Sequence, residues 1–128
     1  MNATLTNRKQ KLDEQGRSHY TRLTYNDKYR VIVMTRYHVK NKMFHTIVSL
    51  MEIEQRDNGI EIEKSIGSIF DYWFQNCIET ISVPRFSKSS FGNAIESGLT
   101  KFFNNFQTEY EKEITQILTT NTYTYKVR

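Results

Sequence analysis

Residues Tyr29 to Lys40 constrain this chain more than any other stretch, because they alternate with a period of two. Successive side chains on a β-strand point to opposite faces. One face then carries Tyr29, Val31, Val33, Thr35, Tyr37 and Val39. The other carries Arg30, Ile32, Met34, Arg36, His38 and Lys40. The first set reads as core and the second as a cationic face with two apolar members. A two-residue turn at Asn41-Lys42 would return the chain over Met43 to Glu54. Phe44, Thr46, Val48 and Leu50 then fall on the core face, and His45, Ile47, Ser49, Met51 and Ile53 on the cationic one.

The neighbours of this hairpin extend it into a meander. Ser18 to Tyr25 reads as a preceding strand. A loop at Asn26-Asp27-Lys28 sets Leu23 beside Val31 and Tyr25 beside Tyr29, a register that keeps apolar side chains on one face. Arg22 then joins Arg30 and Arg36. After the return arm comes Arg56-Asp57-Asn58-Gly59, and Asn-Gly between apolar runs is a strong hairpin signal. It predicts a fourth strand over Ile60 to Lys64, with Ile60 and Ile62 joining Ile53 on the cationic side. That side would hold more apolar surface than a bare solvated face carries, so a second layer, a homodimer contact or a partner is expected on it.

Two helices are expected after the strands. Ser68 to Ile81 has a cap at Ser68, Asp71 three residues on, and Ile69, Phe70, Trp73, Phe74, Cys77, Ile78 and Ile81 near a 3.6 period. Pro84 marks its end. The second runs from about Phe91 to Leu118. Twenty-eight helical residues would span about 42 Å, beyond the roughly 28 Å of a domain this size. It therefore breaks near Gly98 or Asn104-Asn105, or its end projects. The tail Thr122 to Arg128 alternates and suits an edge strand. Residues 1–17 read as a basic N-terminal arm or a short helix (Asn7 to Gln15, with Arg8, Lys9 and Lys11 as its cations), and 18–128 as a single domain. The expected class is α+β: a four-stranded antiparallel meander, then two amphipathic helices packed on one face.

Composition narrows the function classes. The chain has 128 residues, enough for one domain with a real core, and its net charge is +4. A mild positive excess, with a pI of about 9.2, favours phosphate-bearing or acidic partners. One cysteine cannot form an internal disulfide, and there is no long apolar run or signal-like N-terminus. A cytoplasmic protein without membrane contact is expected. Five Gly, one Pro and two alanines (Ala3 and Ala94), against frequent Ile, Asn and Lys, suit an AT-rich genome, such as that of many low-GC bacteria and of their phages and other mobile elements.

Two places carry candidate chemistry. Val83 to Phe91 leads into a helix with Arg85, Lys88 and the hydroxyls of Ser87, Ser89 and Ser90. A helix N-terminus attracts anions, and Phe86 offers a ring to stack on a base. The structural alternative is that Ser89 or Ser90 is only an N-cap and the cations are solvated. The second place is the cationic sheet face, with Arg22, Arg30, Arg36, His38 and Lys40 and Tyr20 nearby. Basic groups among aromatics on a sheet suit single-stranded nucleic acid. The alternative is an ordinary charged face or the basic rim of a dimer interface.

Catalysis and metal binding find little support. His38 and His45 should be cross-strand neighbours, but a structural zinc site takes four ligands. Cys77 sits on an apolar stripe, as a small buried hydrophobe. Glu52, Glu54, Glu61 and Glu63 form an acidic patch, with Lys64 on the face opposite Glu61 and Glu63. No triad, Gly-rich phosphate loop or dinucleotide fingerprint is present. The expectation is a non-catalytic protein without cofactor or metal. It binds nucleic acid first, or a free nucleotide second, through Arg30, Arg36, His38, Lys40, Arg85, Phe86, Lys88 and Ser90. The alternative is a small protein-binding inhibitor or adaptor, with Ile32, Met34, Ile47 and Met51 as anchors. A homo-oligomer, a dimer, is expected, and a third reading is that this same face merely builds it.

Overall fold

The computed structural model describes residues 5–12, 17–68 and 77–120. Its centre is the expected hairpin: β2 (Ser18–Tyr25), β3 (Tyr29–His38) and β4 (Met43–Gln55) run antiparallel side by side. Leu23 faces Val31 and Tyr25 faces Tyr29, as the alternation requires. Asn26 and Asp27 make that turn at φ 52° and 62°, a left-handed conformation Asn and Asp tolerate better than most residues. The β3–β4 connection is a four-residue loop, with His38 opposite Met43, in place of the two-residue turn. A shift of two residues preserves the division into faces.

The N-terminal segment corrects the expectation of a helix or arm. Leu5–Leu12 is a strand, β1, paired antiparallel with β2 at the sheet edge. Its few apolar residues hid it, because an edge strand draws on ladder hydrogen bonds as well as side-chain burial.

The next strand, β5 (Glu61–Ser68), carries a second correction. Arg56 N–H donates to Ile60 O at 2.9 Å, and Gly59 N–H to Arg56 O at 2.9 Å, with Gly59 at φ +83°. The hairpin loop thus has three residues and a left-handed glycine, not a two-residue Asn-Gly turn. One residue of slip moves every side chain to the other face. Glu63 now stands opposite Ile53 and Glu61 opposite Gln55, so the two glutamates, not Ile60 and Ile62, join the cationic side.

The clearest expected helix, Ser68 to Ile81, is overturned at both ends. Ser68 is the last residue of β5, and Glu79–Ser82 forms β6, paired with Met43 to Thr46 of β4. Residues 69–76 lie outside the described residues, as does the tail from Thr122 expected to add a strand. β5 and β6 occupy successive stretches of one edge of β4, giving a six-stranded sheet among the described residues. Ile78 N–H donates to Thr46 O at 2.8 Å. The open ladder of β4 outweighs the helical period at the end of this segment.

The long amphipathic stretch forms two helices, α1 (Lys88–Asn104) and α2 (Glu111–Thr120), joined through a π-helical turn at Phe106–Tyr110. The break falls at Asn105, one of the expected places. Phe102, Phe106, Tyr110 and Ile114 repeat every four residues. Each step overshoots a 3.6-residue turn by about 40°. The wide turn, in which Asn105 O accepts from both Glu109 and Tyr110 N–H, takes up that overshoot and keeps the stripe on the sheet.

The helices cover the face read as core. Leu23, Tyr25, Val31, Val33, Val48 and Leu50 pack with Leu99, Phe102, Phe106, Tyr110, Ile114 and Ile117. Each such side chain contributes about 1.5–3 kcal/mol when fully buried. The class is α+β with an antiparallel meander, as expected. No helix among the described residues is long and apolar enough to cross a membrane.

Candidate functional site

The eight residues expected to bind a ligand separate into three groups. Phe86 packs against Tyr37 (centroids 5.5 Å apart) and Phe91 (5.4 Å), on the helix side of the sheet. Tyr37 hydroxyl donates to Val83 O at 3.3 Å, tying the loop there. Phe86 is therefore a core-edge residue and not a free ring. Ser87, rather than Ser89 or Ser90, is the N-cap of α1. Its Oγ accepts from Ser90 N–H at 3.0 Å while Ser90 Oγ accepts from Ser87 N–H at 3.2 Å. The Ser90 hydroxyl is thus engaged in a capping box. Arg85 and Lys88 are exposed.

Arg30 points to the opposite face, but its charge is met. Nη1 lies 3.2 Å from Glu63 Oε2 and Nη2 lies 3.8 Å from Glu61 Oε1. Arg22 shares Glu63 at 3.4 Å. The one-residue slip of β5 brings these carboxylates here, and no reading with Ile60 and Ile62 on this face contains the pairs.

Arg36, His38 and Lys40 remain together. With Arg17, Ser18 and Tyr20 they line a groove of about 410 Å³ at the β2–β3 end of the sheet. Ser18 stands opposite Arg36 in the ladder and Tyr20 opposite Met34. None of the described residues lining the groove is acidic. Arg36 and Lys40 make no ion pair among the described residues. Arg17 was not singled out in the sequence. It precedes β2, and its carbonyl accepts from Tyr37 N–H at 3.0 Å, which holds Arg17 itself against β3. Only its adjacency to Ser18 could have signalled it.

The histidines are stacked beside this groove. His38 and His45 rings lie 4.2 Å apart with Nε2 atoms 3.4 Å apart. They are diagonal neighbours, since Arg36 is the residue opposite His45. Burial, then His38 and Arg36, push His45 down to about 4, and burial with Arg36 lowers His38. Two neutral imidazoles are thus present at neutral pH, and the standing positive charge of the groove is that of Arg36 and Lys40, since the Arg17 guanidinium lies over the Phe86 ring, 6.0 Å from its centroid. No group of three His, Cys, Asp or Glu side chains suited to a metal occurs among the described residues.

On the same face Ile32 is only 6% exposed and Ile47 only 1%. Two of the four residues expected to anchor a protein partner are therefore already covered. Met34 and Met51 are half-buried. Cys77 is half-buried beside Glu79, and burial pushes its thiol up. That makes it a poor nucleophile. No family model, curated protein or solved structure matches this chain.

Proposed function

We propose that this chain is a non-catalytic binding protein for a phosphate-bearing ligand, nucleic acid first and a free nucleotide second. The groove lined by Arg36, His38 and Lys40 is the seat. One observation carries the reading: Arg36 and Lys40 line one concave site with no acidic residue among its described lining, while Arg22 and Arg30 are neutralised by Glu61 and Glu63. Guanidinium groups suit phosphate because their planar donors match its oxygens. A cytoplasmic setting accords with such ligands and with a single cysteine. The inhibitor or adaptor reading draws less from the geometry, because Ile32 and Ile47 are not available as anchors.

The test is fluorescence anisotropy of a labelled single-stranded oligonucleotide at increasing potassium chloride. Binding whose logarithm falls linearly with the logarithm of salt is expected. No binding at low salt, or binding indifferent to salt, would remove the proposal.

A further inference from the structure

The groove is larger than a phosphate needs. Its volume of about 410 Å³ falls within the range of small-molecule sites, roughly 300–1,000 Å³. Tyr20 forms part of its wall, and that ring is held in place. The Arg22 guanidinium carbon sits over the ring, 5.8 Å from its centroid, and Arg22 is itself tied to Glu63. An arginine spent on Glu63 and Tyr20 is a support for the ring rather than a contact for a ligand.

The ladder sets the spacing between ring and cation. Tyr20 and Ser18 lie on the same face of β2, and Arg36 stands opposite Ser18. Tyr20 and Arg36 are therefore diagonal neighbours, about 7–8 Å apart between Cα atoms. Both side chains are long enough to converge on one ligand that carries a ring and an anion a few ångströms apart. A nucleotide is such a ligand. Among the side chains the structure describes, the cations beyond the groove that could follow a strand across the sheet, Arg22 and Arg30, are occupied by carboxylates. A duplex keeps its bases stacked inside and offers none to Tyr20.

We propose that the groove holds a single nucleotide unit, with its base on the Tyr20 ring and its phosphate between Arg36 and Lys40. This rests on the phosphate-ligand reading above. The unit has two sources, a free nucleotide or one residue of a single strand.

Calorimetry of the full chain with inorganic phosphate, AMP and a short oligoadenylate tests it. The proteins are wild type, Tyr20→Leu and Tyr20→Phe. AMP should bind wild type about tenfold more tightly than phosphate, the order that stacking one base on an aromatic ring provides. Tyr20→Leu should erase that difference with phosphate affinity unchanged, and Tyr20→Phe should keep it. Unchanged phosphate affinity also shows that the variant has folded. The oligoadenylate should show a shallow salt dependence, with a slope near −1, since each phosphate held on a single strand adds about 0.7. Equal affinity for AMP and oligoadenylate would support the free nucleotide as source. A tighter oligoadenylate at the same shallow slope would support a strand. AMP binding no better than phosphate, or a preference that survives Tyr20→Leu, overturns the base seat and leaves the phosphate reading standing. A slope of about −3 or steeper overturns the single unit. Failure of all three probes to bind removes both.

Discussion

Gly98 of α1 rests directly on Thr46 of β4: a Cβ at Gly98 would stand 2.6 Å from Thr46 Oγ1 and 2.9 Å from its Cγ2. Thr46 cannot yield easily. It is β-branched, 2% exposed, and its Oγ1 is 2.9 Å from Thr35 Oγ1. Gly98→Ala would gain about 1 kcal/mol of helix propensity and lose about 1–3 kcal/mol to overpacking. The net expectation is destabilisation by about 1 kcal/mol, read from the urea midpoint. Adding Thr46→Ala should recover the overpacking loss, and a Gly98→Ala protein more stable than wild type would contradict this contact.

Glu63 is the counter-charge that withdraws Arg22 and Arg30 from the surface. The pairs are partly exposed, so Glu63→Gln should cost only about 1 kcal/mol of stability. It should also strengthen oligonucleotide binding at low salt and steepen the salt dependence, because the Arg22 guanidinium is released and Arg30 keeps only its longer contact to Glu61. Anisotropy across a salt series would show the change. An unaltered slope would mean that these arginines lie too far from the ligand to matter.

The groove and the loop before α1 should respond differently to loss of charge. Arg36→Gln is expected to weaken oligonucleotide binding about tenfold, the scale of one hydrogen bond to a charged group. Arg85→Gln and Lys88→Gln are expected to have little effect, since Phe86 packs on the helix side of the sheet while Arg36 lies on the other. The same anisotropy titration decides. A large loss on changing Arg85 or Lys88 would place the ligand at the helix N-terminus instead.

His45 should make the fold acid-sensitive. Its folded pKa of about 4 lies below the ordinary 6.5, so the unfolded chain takes up the proton first as pH falls. Stability from this group is fully present above about pH 6.5 and is lost as pH falls toward 4. At about 1.4 kcal/mol per pH unit, the loss over that window is about 3 kcal/mol. Urea denaturation at pH 7 and near pH 4 measures it. His45→Gln should flatten the difference by that amount, and an equal drop in both proteins would assign the acid sensitivity to carboxylates.

Ser87→Ala tests the capping box at the start of α1. The bond from Ser90 N–H to Ser87 Oγ is removed while the backbone N–H of residue 87 keeps its bond to Ser90 Oγ, and a loss of about 1 kcal/mol is expected. Thermal unfolding followed by circular dichroism reads it. Oligonucleotide affinity should stay unchanged, because the loop takes no part in the proposed site.

The helix expected at Ser68 to Ile81 shows where local pattern misleads. Its apolar spacing is helical, yet Ser68 and Glu79 to Ser82 pair with β4. Ladder bonds with a strand far away in sequence are invisible to a periodicity, and they satisfy backbone groups that would otherwise face the sheet edge. The strand β1 escaped notice for another reason: it has few apolar residues, and its pairing with the neighbouring β2 rests on backbone groups that leave no pattern in the sequence. The site was partly legible. Arg36 and His38 follow from alternation alone, whereas Lys40 lies in the loop after β3 and Arg17 enters only through its backbone bond to Tyr37.

What the sequence determined by itself is the central meander and its two faces, since alternation from Leu23 to Leu50 permits only a register that buries Val31, Val33, Val48 and Leu50 together. A slip of two at the β3–β4 turn left those faces intact. What only the tertiary structure decided is the charge of the second face. One extra residue in the Asp57-Asn58-Gly59 loop turned Glu61 and Glu63 onto Arg22 and Arg30, leaving Arg36 and Lys40, among the described side chains of that face, without a carboxylate. The physical reason is the period of two: an even shift changes partners and keeps the face, while an odd shift changes the face.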